Sequence, residues 1–348
     1  MRPETDFRSA LARTDIAGLL EKLKNVRVAV LGDLCLDVYW DADMRCSELS
    51  RETPHFPLPV TAERFSPGGA ANVCANAAAL SVRQVRAVGV LGNDWRAAVL
   101  GACCGERGVD VSLLAREPGR FTNAYCKPLR HGISDVVYED PRLDFATLRP
   151  IAEETERQLL AALDRLEADV LCVSDQLPFG CVTERVRGRV MELSRAGLTV
   201  VADSRDRIGL YRDVIVKPNE VEGYRAARGG NPPEDAGLSE FAACASELSG
   251  RTGRRVFMTL GARGCLCAEG DRIAHVPAAR PPEKIDFVGA GDTVLASLGA
   301  ALAAGADAET AMTFSCLCAS VTIGKLGVTG TASPAEILAM ARRQAEGA

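Results

Sequence analysis

The chain has 348 residues, 47% of them apolar and 25% charged, with a net charge of −5. That balance suits an ordinary globular protein with one large core or two smaller ones, and the acidic excess speaks against the basic face through which proteins hold nucleic acids. No apolar run is long enough to cross a bilayer, and the stretch from Met1 to Asp15 lacks the apolar segment of a secretory signal, so the expected compartment is the cytosol.

In chain order, a short apolar strand is predicted at 26–31, a helix over 70–80, a strand over 84–91 and a helix over 95–107. A helix at 147–167 leads to a strand at 168–173; a helix at 182–196 leads to strands at 197–202 and 213–216. A helix at 239–248 and a strand at 255–260 follow, and the pattern then turns helical through 291–304, 308–324 and 334–345. Apolar strands separated by helices imply an α/β fold, a mostly parallel sheet covered by helices on both faces. Residues 38–65 and 121–145 break the alternation and read as strands and loops projecting from the sheet edge, a small β lid. Without internal repeats or a linker rich in Pro, Gly or Ser, 1–348 is expected to form a single domain with the lid inserted.

The thirteen cysteines are irregularly spaced and mostly lie inside apolar runs such as Val170-Leu171-Cys172-Val173. They read as reduced core residues rather than a disulfide framework or a zinc site. With only His55, His131 and His275, histidine-based chemistry has little support.

The chemistry concentrates in a few small-residue turns. In Asp286-Phe287-Val288-Gly289-Ala290-Gly291-Asp292, the small residues Gly289, Ala290 and Gly291 let backbone N–H groups approach an anion at a helix N-terminus, with Asp292 beside it as a candidate proton acceptor. Taken alone, Asp292 reads equally well as a helix-capping acid. Pro67-Gly68-Gly69-Ala70-Ala71-Asn72 is a second such turn, in which Gly68 and Gly69 admit a ligand and Asn72 offers it a donor and an acceptor. Asp33 and Asp37 follow the first strand, where open parallel sheets place ligands. No G-x-G-x-x-G follows that strand, which tells against a dinucleotide site.

Together these stretches resemble the ribokinase-like (PfkB) carbohydrate kinases. Gly68 to Asn72 is similar to that family's N-terminal signature and Asp286 to Asp292 to its C-terminal one. Lys217-Pro218-Asn219-Glu220-Val221-Glu222 resembles its N-x-x-E element, and Thr259-Leu260-Gly261-Ala262-Arg263-Gly264 its nucleotide-binding turn. The resemblance implies a ribokinase-like fold, ATP held by Lys217, Asn219, Glu222, Thr259, Gly261 and Gly264, and Mg2+ held through water by Asn219 and Glu222. It further implies Asp292 as catalytic base with the Gly289–Ala290–Gly291 anion hole, and acceptor contacts from Asp33, Asp37, Gly68, Gly69, Asn72 and Lys127. A K+ ion beside Asp286 and a homodimer joined through the lid, where Phe56, Leu58, Val60, Val136 and Val137 are apolar, also belong to the implied set.

Within the family, Gly32-Asp33-Leu34-Cys35-Leu36-Asp37-Val38-Tyr39-Trp40, Glu52-Thr53-Pro54, Arg142-Leu143-Asp144-Phe145 and Gly324-Lys325-Leu326-Gly327 resemble the heptose-7-phosphate kinase branch. Since the chain stops at Ala348, only the kinase half of those bifunctional enzymes carries over. Val288 stands where the family usually has Thr, Asp203-Ser204-Arg205 where the branch has Asp-Pro-Lys, and Gly132-Ile133-Ser134-Asp135 departs from the branch's lid. Arg45, Arg51, Lys127, Arg130 and Arg142 in or beside the lid favour a phosphorylated acceptor. A kinase for an unphosphorylated sugar, sugar acid or nucleoside, and a sugar-binding regulator without turnover, are the alternative readings.

Overall fold

The computed structural model describes residues 6–346. Its strands are β1 (Arg27–Gly32), β2 (Leu34–Asp43), β3 (Val60–Gly69), β4 (Gln84–Leu91), β5 (Val109–Arg116), β6 (Asn123–His131), β7 (Tyr138–Glu139), β8 (Leu143–Phe145), β9 (Val170–Asp175), β10 (Thr199–Ser204), β11 (Ile215–Val216), β12 (Val256–Thr259), β13 (Cys265–Glu269) and β14 (Arg272–Val276). The helices are α1 (Phe7–Ala12), α2 (Ile16–Leu23), α3 (Ala70–Ala79), α4 (Trp95–Gly105), α5 (Glu153–Asp164), α6 (Glu184–Arg195), α7 (Glu220–Arg228), α8 (Leu238–Thr252), α9 (Ala290–Ala303), α10 (Ala308–Thr322) and α11 (Pro334–Glu346).

Nine strands form one sheet in the order β14-β13-β12-β11-β10-β9-β1-β4-β5, parallel except along the β13–β14 edge. Alternate residues of β1 feed two cores, as a pleated strand buried on both faces must. Val28 and Val30 pack with Val73 of α3, Leu298 of α9 and Phe314 of α10. Ala29 and Leu31 pack with Leu159 of α5, Val186 of α6 and Phe241 of α8. The order of connection reverses at β1, which has β4 on one side and β9 on the other, so the crevice beyond the carboxyl ends of these strands is the natural ligand position. Strand contact there is close: a Cβ on Gly32 would lie 2.2 Å from the Ser174 carbonyl oxygen.

Both segments predicted to project from the edge are in a second, five-stranded sheet, ordered β3-β2-β6-β7 with β8 also on β6. Asp33 alone separates β2 from β1, so the chain passes straight from one sheet into the other. Arg96 of α4 pins the small sheet at its root. Its guanidinium sits 3.8 Å from the Phe145 ring centroid and 4.9 Å from that of Trp95, a desolvated cation–π contact of about 2 kcal/mol.

Several elements differ from expectation. The helix predicted from residue 147 begins at Glu153, because Pro150 cannot donate and the Ala152 N–H is taken by Glu117 (3.0 Å). The edge hairpin β13–β14, β5, α1, α2 and α7 have no counterpart among the predicted elements, being short or carrying mixed patterns. Glycine at 299 lets α9 lie against β9, since a Cβ there would meet Cys172 Sγ at 2.5 Å. Gly299→Val, which gains no helix propensity to offset the overlap, is expected to lower unfolding free energy by about 1–3 kcal/mol in a denaturant titration.

Candidate active site

A cavity of about 790 Å³ opens between the carboxyl edge of the main sheet and the inner face of the small one. At its floor α9 begins. Gly289, its N-cap, has φ +79°, and a Cβ there would press on Asn72 Nδ2 at 2.7 Å, so both conformation and space demand glycine. The N–H groups of Gly291 and Asp292, in the first helical turn, find no backbone acceptor among the described residues, which leaves a positive end facing the cavity. Asp292 lies in that turn with part of its surface open to the cavity.

Asn72 donates to Asp292 Oδ2 at 2.8 Å. This contact changes the expectation for Asn72: the residue is buried behind the carboxylate and does not line the cavity. Asp33 also departs from its expected place. Its carboxylate accepts the N–H groups of Gln176 (3.0 Å), Leu177 (2.8 Å) and Cys181 (2.8 Å), and it stays off the cavity wall. A buried carboxylate ties down the nearest unpaired N–H groups, so Asp33 orders the loop after β9.

The half of the cavity beside β10–β13 is built from strand ends. Lys217 pairs with Asp203 at 3.1 Å, both nearly closed to solvent. Asn219 and Glu222 form a reciprocal cap on α7: Asn219 Oδ1 accepts the Glu222 N–H (2.8 Å), and Glu222 Oε2 accepts the Asn219 N–H (2.9 Å). That leaves Glu222 Oε1 and the Asn219 amide nitrogen for a ligand. Thr259 is bridged to Asn219, and Gly261 and Gly264 complete a tight turn in which a Cβ on Gly264 would lie 2.1 Å from the Val276 carbonyl oxygen. Beyond the turn, Ala279, Ile285, Cys316, Ala319 and Ile323 make an apolar shelf.

The opposite half is the inner face of the small sheet. Asp37 and Tyr39 on β2 stand in register with Tyr125 and Lys127 on β6. Gly68 closes in on Asp37, its missing Cβ leaving only 2.9 Å to Oδ1, and Gly69 has φ +53° at the entry to α3. The Lys127 ammonium lies 4.8 Å from the Tyr39 ring centroid and 3.3 Å from its hydroxyl, while Arg142 stacks 4.3 Å from the Tyr125 centroid and pairs with Asp144. Of the five lid cations singled out in the sequence, Lys127 and Arg142 reach the cavity; Arg45 and Arg130 pair with Asp43 and Asp140, and neither they nor Arg51 line it. Arg205 does line it, and its guanidinium makes no hydrogen bond or ion pair among the described residues. Its place after the β10 strand end was the available signal in the sequence.

Electrostatics follow from crowding four carboxylates into one partly closed space. Burial pushes Asp292 up to about 7, the Asn72 amide and Lys217 opposing the shift and Asp203 and Asp37 adding to it. Burial likewise carries Glu222 up to about 7, with Asp203 adding to it, and Asp37 to about 6, with Lys127 and Arg142 opposing. Burial works against the Lys217 ammonium, but Asp203, Glu222 and Asp292 outweigh it and its pKa rises. Among the described residues no three His, Cys, Asp or Glu side chains converge into a complete metal cage. The carboxylates of Asp203, Glu222 and Asp292 gathered around Lys217 instead suit a divalent cation that arrives with its own oxygen ligands. Val288 donates its N–H to Asp286 Oδ1 (3.0 Å), and Gly327 donates to Oδ2 (3.1 Å), so the loop keeps its shape without a threonine hydroxyl.

Residues 27–336 match the family described as pfkB family carbohydrate kinase. The chain is 34% identical over 346 residues to the bifunctional protein HldE of Bradyrhizobium sp., covering 95% of this chain and 67% of the relative. It is 32% identical over 336 residues to the bifunctional protein HldE of Geotalea uraniireducens, covering 94% and 66%. The chain thus spans about two thirds of the length of these relatives. Among solved structures it is similar to Escherichia coli phosphofructokinase-2 in complex with fructose-6-phosphate (TM-score 0.70, 21% identity, 92% of this chain and 99% of that one). It is also similar to Arabidopsis thaliana ribokinase complexed with ribose and ATP (TM-score 0.68, 18% identity, 91% and 99%). A fold and site of this kind define a phosphotransferase acting on a sugar hydroxyl, and the chain belongs to the pfkB family of carbohydrate kinases.

Gly289→Ala should force Asn72 and Asp292 apart. Turnover is expected to fall about 100-fold, with a lowered melting temperature, read by steady-state kinetics and thermal unfolding.

Proposed function

We propose that the chain is an ATP-dependent kinase for a sugar phosphate of the heptose 7-phosphate type, with Asp292 as general base. The observation that carries this reading is a single cavity with Asp292 at an anion-binding helix start on its floor and two aromatic-backed cations, Lys127 and Arg142, on its far wall. Lys127 and Arg142 would hold the phosphate already on the acceptor, and Asp37 would accept from its hydroxyls. The resemblance to the heptose-7-phosphate kinase branch and the similarity to the two HldE proteins support that substrate class.

In the proposed reaction, Asp292 accepts the proton of the attacking hydroxyl as the new oxygen–phosphorus bond forms and the bond from the γ-phosphorus to departing ADP breaks. The N–H groups at the start of α9 and Lys217 stabilise the charge on the transferring group. The apolar shelf and the Gly261–Gly264 turn would hold the adenine end, and Glu222 and Asn219 would hold Mg2+ through water. Bound there, Mg2+ supplies neutralisation of the phosphate charge. Both Asp286 oxygens retain a lone pair, so the corner it forms with Gly327 also fits a K+ ion. Thirteen unpaired thiols fit a reducing compartment, and no helix among the described residues is long and apolar enough to cross a membrane.

One observation favours a neutral acceptor: Arg142 is already paired with Asp144. ADP release with heptose 7-phosphate, fructose 6-phosphate, fructose and ribose decides between the two. Turnover confined to the unphosphorylated sugars removes the first reading, and Lys127→Ala should raise KM about tenfold or more for a phosphorylated acceptor while leaving KM for ATP unchanged. Asp292→Asn should lower kcat by about 10²–10⁴. Because the base must be ionised, kcat/KM in the native enzyme should fall as pH drops through about 7.

The loops that follow β2 and β6 at one end of the small sheet expose Phe56, Ile133, Val136 and Val137, each more than half open to solvent. We assign this patch to a second copy of the chain, burying apolar surface that a lone lid would leave wet. Sedimentation at micromolar concentration should give a dimer that the V136D/V137D double substitution converts to monomer.

A further inference from the structure

Behind Asp292 lies a line of polar side chains that the reaction itself does not call for. Asn72, Asn76 and Thr293 are each no more than 2% exposed, at the contact between α3 and α9, surrounded by apolar residues. Their hydrogen bonds form one chain. Thr293 Oγ1 meets Asn76 Oδ1 at 2.8 Å, Asn76 Nδ2 donates to Asn72 Oδ1 at 3.1 Å and to the Asn72 carbonyl at 2.9 Å, and Asn72 Nδ2 donates to Asp292 Oδ2 at 2.8 Å.

The chain has a direction. An amide oxygen only accepts, so in this contact Thr293 is the donor, and Asn76 Oδ1 at 2.8 Å is the nearer of its two acceptors, the Gly289 carbonyl lying at 3.2 Å. Asn76 then turns its NH2 toward Asn72, and the Asn72 oxygen, held by that NH2, faces away from Asp292. Only the Asn72 NH2 remains for the carboxylate. Each donor polarises the next toward the negative charge, and buried chains of this sort strengthen their members. Two contacts therefore hold the Asn76 amide, Thr293 on its oxygen and the Asn72 carbonyl on its NH2. Loss of Thr293 removes one of these restraints, and a rotated Asn76 would let Asn72 present its oxygen, which would repel an ionised Asp292.

We propose that Thr293 and Asn76 are positioning residues that fix the Asn72 amide with its donor toward Asp292, keeping the base ionised and aimed. The inference rests on Asp292 being the base. The direction of the Asn72 effect agrees, since its hydrogen bond pulls the Asp292 pKa down against burial. The charged groups that face Asp292 from other elements are Asp37 on β2, Asp203 on β10 and Lys217 after β11, and the substitutions below leave all three in place.

The test compares T293V, T293S, D292N and T293V/D292N in full-length protein by pH–rate profile and thermal unfolding. T293V, nearly the same shape without the hydroxyl, should lose about tenfold in kcat at neutral pH and move the acid limb of kcat/KM upward. T293S should restore both, and T293V should add no further loss in the D292N background. A T293V enzyme with the native pH profile, whatever its melting temperature, overturns the proposal and leaves these residues as packing contacts. If T293V does not accumulate folded, T293A, which removes atoms and adds none, takes the same comparison. Native turnover in D292N instead overturns the assignment of the base, an outcome separate from any result with the Thr293 variants.

Discussion

One hydrogen bond closes the molecule on itself. Asn72 lies in the first helix after the small sheet begins, Asp292 lies in the first turn of α9, and they meet at 2.8 Å across 220 residues of chain. Everything that makes the floor of the cavity depends on that approach. Gly289 must lack a Cβ for it, α9 must lie flat on β9 at Gly299, and α3 must enter its helix through the left-handed Gly69. Local propensity favours none of these; they persist because packing on one face of the sheet determines where both helices go.

Around that floor the charges are arranged in opposition. Asp37, Asp203, Glu222 and Asp292 share the cavity with Lys217, Lys127, Arg142 and Arg205, yet few of these groups are paired within it. A fold optimised for stability alone would not gather carboxylates whose pKa values are forced up to about 6 and 7. On the proposed reading, anionic phosphates and a cation entering together would relieve that crowding.

Much of this was legible in the sequence. The strands at 26–31, 84–91 and 168–173 are apolar on both faces, and that pattern has no other good explanation than a covered parallel sheet. The small-residue turns at Gly68–Gly69 and Gly289–Gly291 could be placed at helix starts because their glycines precede runs with no breaker. The partners of each polar group were not legible. Asp33 and Asp37 are both acids beyond a strand end, but only the fold shows that three N–H groups of a distant loop converge on Asp33 and none on Asp37. The Asn72 partner was hidden in sequence because the carboxylate it donates to is 220 residues away. Likewise the lid cations are indistinguishable until the register of β2 against β6 turns Lys127 inward and leaves Arg130 beside Asp140.

The passage of the chain from β1 into β2 has a further meaning for how such an enzyme diversifies. Only Asp33 lies between the strand that organises the floor and the strand that carries the far wall of the cavity, and Asp33 is bolted to the loop after β9 by three N–H groups. The small sheet therefore inherits its orientation from a fixed pivot, while the side chains on alternate positions of β2 and β6 face the cavity away from that pivot. If acceptor contacts lie on the small sheet, as proposed, specificity and chemistry would be separable cassettes in this architecture, with new acceptors reached by exchanging side chains on one small sheet above an unchanged floor.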